Sequence, residues 1–361
     1  MYERICNLEH LLQAHRRAQL DNRYKRKICA FTFSLEENLL RLRWELLQEI
    51  YIPRPYTYFM LHDPKTRAIA APDIRDRVVQ HALVDVIQPL FERQFINDSY
   101  ACRANKGTHF AAQRLKRFLM AARSFHGKNT PIYVLQCDIR KFFQSVSWDI
   151  LLTIIGNTIT CPKTLALAKT IVTTHHHATA PKTTASPQLP LFTPEADVSE
   201  ASISPEHRTG LPIGNLTSQL FANIYLNELD HFVKEILRIR WYGRYMDDFL
   251  ILHSDRTYLK QLKDTIDSYL QNTLHLSLHP DKLTIKNVSD GVPFVGYRIF
   301  YDHVLVRGST LRRIERNYRS RVKQVKHGRL SAQKLAETKA SIIGHLKHAN
   351  SYGLTKNLFR K

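Results

Sequence analysis

Two short stretches set carboxylates where they can do chemistry. Tyr245-Met246-Asp247-Asp248 holds two acids between strand-like flanks, Trp241 and Tyr242 before and Phe249 to Leu252 after, so the pair is expected at a tight hairpin turn on a sheet edge. Ile132-Tyr133-Val134-Leu135-Gln136-Cys137-Asp138 is a second apolar run that ends in one acid and then turns through Arg140-Lys141-Phe142-Phe143. Adjacent acids at a turn are, by themselves, most often solvent-facing. A second strand ending in Asp changes the reading, because a neighbouring hairpin can bring two carboxylates beside the third. Three hard oxygen ligands on two rigid strands meet the demand of nucleotidyl transfer by two divalent ions about 3.5–4 Å apart. One ion would lower the pKa of a primer 3′-hydroxyl while the other would neutralise the triphosphate and the leaving pyrophosphate. Mg2+ is the ion expected of an all-oxygen site, with Mn2+ able to substitute.

The elements that must position these acids are partly legible. Ser34 with Glu37 three residues later resembles a capping box, and Leu39, Leu40, Leu42, Leu46, Leu47 and Ile50 follow at roughly helical spacing, predicting a helix that ends before Pro53. Aromatic and β-branched residues from Tyr56 to Pro72 flank Asp63-Pro64-Lys65-Thr66 and predict a hairpin with Lys65 and Arg67 near its tip. A helix through Val78, Val79, Leu83, Val86 and Ile87 should follow. Residues 175–209 turn to Thr, Ala, Ser and Pro and read as an insertion loop, whose His175-His176-His177 run is assigned no chemistry. Beyond Tyr301 the chain becomes strongly basic. Leu311, Ile314, Tyr318, Val322 and Val325 recur between Arg312, Arg313, Arg316, Arg319, Arg321, Lys323 and Lys326, predicting an amphipathic helix with one cationic face.

Composition narrows the class without naming an activity. The 361 residues are 43% hydrophobic and 24% charged, enough apolar material for a sizeable core, which excludes a disordered basic tail. Lys and Arg number 53 against 32 acids, a net charge of +21 that favours a polyanionic partner. The run of about 18 apolar residues that a membrane span needs is absent, and Glu3, Arg4 and Glu9 interrupt any secretory leader. Five scattered cysteines without a C-x-x-C pair argue against a disulfide framework or a zinc knuckle. The expected setting is the cytoplasm.

Taken in order, the motifs resemble those of reverse transcriptases. Arg67-Ala-Ile-Ala-Ala-Pro72 and Asp76-Arg77-Val78-Val79-Gln80 look like the family's fingers motifs, and Ser99-Tyr100-Ala-Cys-Arg103 with Lys106-Gly107-Thr108-His109 like the next block. Asp138 to Val146 resembles the first palm motif, Gly210-Leu-Pro-Ile-Gly-Asn-Leu-Thr-Ser-Gln219 the second, and Tyr245 to Asp248 the YxDD motif. Pro280-Asp281-Lys282 and Phe294-Val295-Gly296-Tyr297 resemble the following lysine motif and the primer-grip turn. The resemblance implies an α/β right-hand polymerase with an antiparallel palm sheet: an N-terminal helical extension over 1–55, fingers over 56–130, a palm over 131–300 and a basic helical thumb over 301–361. It implies Asp138, Asp247 and Asp248 as metal ligands, joined by the main-chain carbonyl of Ile139. Arg67, with Lys65 on a hairpin shorter than in many relatives, would grip the incoming dNTP, with Ile213, Gln219 and Lys282 in its surroundings. Phe143, five residues after Asp138, falls at the steric-gate position that excludes a 2′-hydroxyl; the bland alternative is a core ring.

Departures from the pattern point to a subfamily. Intron-encoded relatives show Gln-Gly-x-x-x-Ser-Pro and YADD, whereas this chain has Ile213-Gly214-Asn-Leu-Thr-Ser218-Gln219 and YMDD. Loss of the first Gln and the last Pro resembles the reverse transcriptases of diversity-generating retroelements, encoded by bacteria, archaea or phages. That resemblance implies copying of a template-repeat RNA into cDNA with errors at adenines, beside a small basic oligomeric accessory protein. The chain ends at Lys361, so no endonuclease is expected after the thumb. Other small bacterial reverse transcriptases, whether defence-associated, retron-like or intron-derived, and an inactive basic RNA-binding module stand as alternatives; an RNA-templated RNA polymerase is disfavoured by Phe143.

Overall fold

The computed structural model describes residues 1–20, 22–62, 66–174 and 208–359. Lys65 and the histidine run of the expected insertion lie outside the described residues. Helices α1 (Tyr2–Ile5), α2 (Leu8–Ala18), α3 (Arg26–Phe33) and α4 (Leu35–Leu47) precede a hairpin of β1 (Thr57–Leu61) and β2 (Arg67–Ala71). Then come α5 (Ile74–Glu92), α6 (Thr108–His126), β3 (Tyr133–Asp138), α7 (Phe142–Ser145), α8 (Trp148–Thr158), α9 (Pro162–Thr173) and α10 (Leu216–His231). The rest comprises β4 (Tyr242–Tyr245), β5 (Asp248–His253), α11 (Arg256–Leu274), β6 (Thr284–Asn287), β7 (Val292–Phe294), β8 (Tyr297–Ile299) and β9 (Val304–Val306), followed by α12 (Gly308–Lys326), α13 (Ala332–Leu346) and α14 (Tyr352–Phe359). The chain forms two compact units: Met1–Phe95, Arg140–Leu229 and Leu270–Leu276 make the first, and Ile96–Ile139, Asp230–Tyr269 and Ser277–Lys361 the second.

The first unit is organised around α5, which buries Val78, Val79, Ala82, Leu83, Val86 and Ile87. A helix apolar on several sides must be covered on several sides, and α1, α2 and α3 pack on it. Asp73 caps it by accepting from Arg75 N at 3.1 Å. One turn on, the buried Asp76 accepts from Tyr51 Oη at 2.8 Å and Arg54 N at 2.9 Å, tying the chain before the hairpin to the helix after it. The capping box expected at Ser34 does not form. Ser34 stands at the N-cap of α4 with no side-chain hydrogen bond, and only its carbonyl engages the helix, accepting from Asn38 N. Helix α4 stops at Leu47, and of its expected apolar face Leu39, Leu42 and Leu46 are buried whereas Leu40 and Leu47 are exposed.

In the second unit four strands form an antiparallel sheet in the order β4-β5-β3-β6. Strand β3 is paired on both edges, so its backbone is satisfied and its side chains fill the interior; β5 buries Phe249, Leu250, Ile251 and Leu252 in an unbroken run. Helix α6 lays Ala111, Leu115, Phe118, Leu119 and Ala122 into the same cluster as Val134, Leu250, Leu252, Tyr297 and Ile299. A second sheet, β7-β8-β9, opens with the turn Val295-Gly296, both residues at positive φ (+42° and +91°). The basic helix expected beyond Tyr301 is α12. Its Leu311, Ile314, Tyr318, Val322 and Val325 are half-buried, and Arg312, Arg316, Arg319 and Lys323 are exposed.

Candidate active site

The carboxylates stand at one end of the four-stranded sheet. Asp138 closes β3 and lies directly opposite Asp248, which opens β5; Asp248 in turn pairs with Tyr245 of β4, leaving Met246 and Asp247 as the two-residue turn. Main-chain hydrogen bonds fix the three acids relative to one another. Ile139 N donates to Asp247 O at 3.2 Å, and His279 N donates to Asp138 O at 2.8 Å. Met246 holds φ at +58°, a left-handed conformation that costs an L-residue about 1–2 kcal/mol. Arg244 offsets that strain by donating Nη1 to Met246 O at 3.0 Å.

Arg244 is the residue that sequence reading missed. It is fully buried and paired bidentately with the equally buried Asp230, Nε to Oδ1 at 2.7 Å and Nη2 to Oδ2 at 2.6 Å, while Tyr242 Oη donates to the same carboxylate and Nη2 also reaches Ser99 Oγ. Two buried charges in fork geometry satisfy each other's hydrogen bonds, so the turn is held from beneath by a rigid network. The one signal in the sequence was an Arg at an interior-facing position of a strand; Asp230, fourteen residues earlier on a helix, gave none.

The electrostatics of the acids bear on whether a cation fits. Asp248 is pushed up to about 7, chiefly by desolvation against the surrounding protein, then by its hydrogen bond with Asp138 and by repulsion from Asp247 and Asp138. Its outer edge nevertheless meets solvent, so an ion can approach. Lys282 Nζ donates to Asp138 Oδ1 and supplies the nearest positive charge. As the side chains stand, no group of three acidic, His or Cys ligands among the described residues closes round one point. The donor set still suits a hard divalent cation: only oxygens, with more acidic groups than Lys282 can neutralise, and one carboxyl, Asp248, raised chiefly by burial. Cys137, behind Asp138, contributes no thiolate, because burial pushes its thiol up to about 12.

A cavity of about 310 Å3 adjoins the acids. Asp138, Asp248, Lys282, Lys286, Val295 and Arg307 line it, so it runs from the carboxylates to the Phe294-Val295-Gly296-Tyr297 turn. Gln136 Nε2 donates to Pro293 O at 2.8 Å and holds that turn to β3.

The other expected site residues belong to the first unit. Ala70 N donates to Ile213 O at 3.0 Å, and Leu211 N donates to Phe143 O at 2.6 Å, so backbone bonds link the β2 strand begun by Arg67, the turn at 210–214 and Phe143. Gly214 (φ +109°) is required in that turn, since a Cβ there would come within 2.8 Å of Ile69 Cγ2. Arg67 is exposed; Ile213, Gln219 and Phe143 are half-buried. It is Phe142, not Phe143, that enters the core.

Comparison with known proteins gives the family. The family described as "Reverse transcriptase (RNA-dependent DNA polymerase)" matches residues 62–299. Protein YkfC of Escherichia coli K12 is 27% identical over 293 residues, 72% of this chain and 70% of its own length. The group II intron-encoded protein LtrA of Lactococcus lactis subsp. cremoris is 22% identical over 329 residues, 73% of this chain; the chain spans half the length of that relative. Among solved structures, an apo telomerase from Candida tropicalis truncated from its C-terminal domain aligns with a TM-score of 0.51 at 15% identity, covering 75% of this chain and 60% of the other, a likeness of fold.

Proposed function

The chain belongs to the reverse transcriptase family and has the right-hand polymerase fold, and from that premise we propose that it is an RNA-directed DNA polymerase whose two-metal site is Asp138, Asp247 and Asp248 with the carbonyl of Ile139. The observation that carries the reading is the direct pairing of Asp138 with Asp248 beside the Asp247 turn. When bound, two divalent cations would acidify the primer 3′-hydroxyl and neutralise the triphosphate. The chain's own groups do the positioning. The cavity beside the Val295-Gly296 turn seats the primer end, Lys286 and Arg307 giving it positive walls. Arg67 and Lys65 meet the triphosphate, Ile213 and Gln219 line its surroundings, and the half-buried ring of Phe143 presses on the sugar C2′ and rejects a 2′-hydroxyl. Lys282, which donates to Asp138 Oδ1, would meet the substrate phosphates.

We further propose that the template is the repeat RNA of a diversity-generating retroelement, copied with errors at adenine beside a small basic accessory protein; Ile213 and Gln219, where intron-encoded enzymes carry Gln and Pro, support this. Similarity to the intron-encoded LtrA favours a second reading, an intron-derived bacterial enzyme. Primer extension on a primed RNA with Mg2+, dNTPs or NTPs, followed by cDNA sequencing, tests both levels. The expected result is dNTP incorporation lost in Asp247→Asn, with substitutions concentrated opposite template adenine and altered there by Ile213→Gln. Incorporation by Asp247→Asn above about one per cent of wild type would remove it from the metal site; an even error spectrum favours the intron-derived reading.

A further inference from the structure

The second unit carries an exposed aromatic and cationic surface at the end of the sheet opposite the carboxylates. Strands β3 and β5 run from the pair Tyr133–His253 at this end to Asp138–Asp248 at the other, five residue steps or about 17 Å. Nothing held here is therefore a reacting group. Phe125, in the last turn of α6, exposes 64% of its surface. Arg240 lies over its ring at 4.8 Å and over that of Trp241 at 5.3 Å. Phe125 meets Trp241 edge to face at 5.6 Å, His126 packs on both, and His253 and Tyr258 continue the rings at 6.0 Å and 4.5 Å.

Folding does not require these groups to be outside. Trp241 is almost wholly buried and anchors the patch, its carbonyl accepting from Leu252 N, whereas Phe125 and Arg240 are exposed. Lys128 and Arg238, close by in sequence, are exposed too. Asp255, two residues after His253, is engaged by its own helix, its Oδ1 accepting from Thr257 N and Tyr258 N. An exposed ring with a guanidinium stacked on it, anchored beside a rigid sheet and flanked by further cations, offers aromatic and guanidinium surface to a base and positive charge to its phosphates. Paired bases hide their faces, so the fitting partner is an unpaired strand.

We propose that Phe125 and Arg240, backed by Trp241, form a stacking platform for single-stranded RNA, holding an unpaired part of the template molecule away from the site of synthesis. RNA is the occupant because, on the polymerase reading on which this rests, the template is the long unpaired strand present before copying. The test is binding alone, so it stands apart from polymerisation. With the full chain and a fluorescent 20-mer oligouridine, Phe125→Ala and Arg240→Gln should each raise Kd about fivefold or more, the effect expected for one stacked base. Phe125→Tyr should bind as wild type, and thermal melts of Phe125→Ala and Arg240→Gln that match wild type exclude misfolding as the cause. A 5-iodouridine 20-mer should crosslink to peptides containing Phe125 or Trp241. An unchanged Kd in both variants, or crosslinks only elsewhere in the chain, overturns the platform. Phe125-dependent binding without any dNTP incorporation upholds the platform and rejects the polymerase reading.

Discussion

At the scale of single residues the acids govern behaviour. Because the folded state holds Asp248 at about 7 while an unfolded carboxyl titrates near 3.9, the folded protein keeps a proton that the unfolded chain releases between those values. The metal-free protein should therefore lose stability as pH rises from about 4 to about 7, and Asp248→Asn should abolish that slope. Thermal melts in chelator across this range check it, with parallel curves for the two proteins counting against the shift. On the proposed two-metal reading Mg2+ must displace the same proton, so it should stabilise the wild type more at pH 8 than at pH 6. Phe143 makes the second residue-scale prediction. Phe142 fills the core and leaves the Phe143 ring partly open, so Phe143→Ala should keep the fold and admit ribonucleotides. The ratio of kcat/KM for rNTP and dNTP decides, and a ratio equal to wild type rejects the gate.

At the scale of elements, the β4–β5 turn depends on a buried ion pair with no solvent to replace a missing partner. Asp230→Asn strands the Arg244 guanidinium in the interior and should cost about 3–5 kcal/mol. Replacing both partners, Asp230→Leu with Arg244→Leu, should recover much of that stability, since a well-packed apolar pair avoids the desolvation penalty. Activity should not recover with it, because Met246 O then has no donor and the left-handed turn no support. Denaturant unfolding and primer extension on the same three proteins separate the effects; a fully active double variant would mean that the turn holds itself. A second element-scale device joins α13 to β8. Tyr297 Oη contacts His109 and His345, which with His348 form a stacked group near Arg313. Burial and mutual repulsion lower His109 and His345, so this packing favours neutral imidazoles and weakens as pH falls below about 6.5.

At the scale of the whole molecule, a charge of +21 becomes useful only where it is arranged. Arg312, Arg316, Arg319 and Lys323 recur at intervals of four and three residues along α12 and line a cavity of about 410 Å3 on one side of the helix. Their positive charge is complementary to a nucleic-acid backbone, and neutralising Arg316, Arg319 and Lys323 should weaken binding with little change in sequence preference. Each phosphate left without its cation should flatten the slope of log K against log salt by roughly 0.7 to 0.9. A slope identical to wild type would turn this face away from the nucleic acid.

The amino-acid sequence by itself determined the local arrangement of the site. A strand ending in Asp138, a two-residue turn carrying Asp247, and a basic helix after Tyr301 all follow from period and turn chemistry, which neighbours along the chain dictate. It misjudged α4, where Ser34 and Glu37 have the types of a capping box but Ser34 makes no side-chain cap, and where half of an apolar stripe stays outside. What only the tertiary structure decided lies between distant segments: the register that sets Asp138 against Asp248, the Asp230–Arg244 pair beneath the turn, the linkage of Ile213 to β2, and the gathering of Phe125, Arg240 and Trp241 on one edge. Those contacts join residues that share no periodic signal. Which apolar or charged side chain is covered depends on what the folded chain lays over it, and no local pattern encodes that.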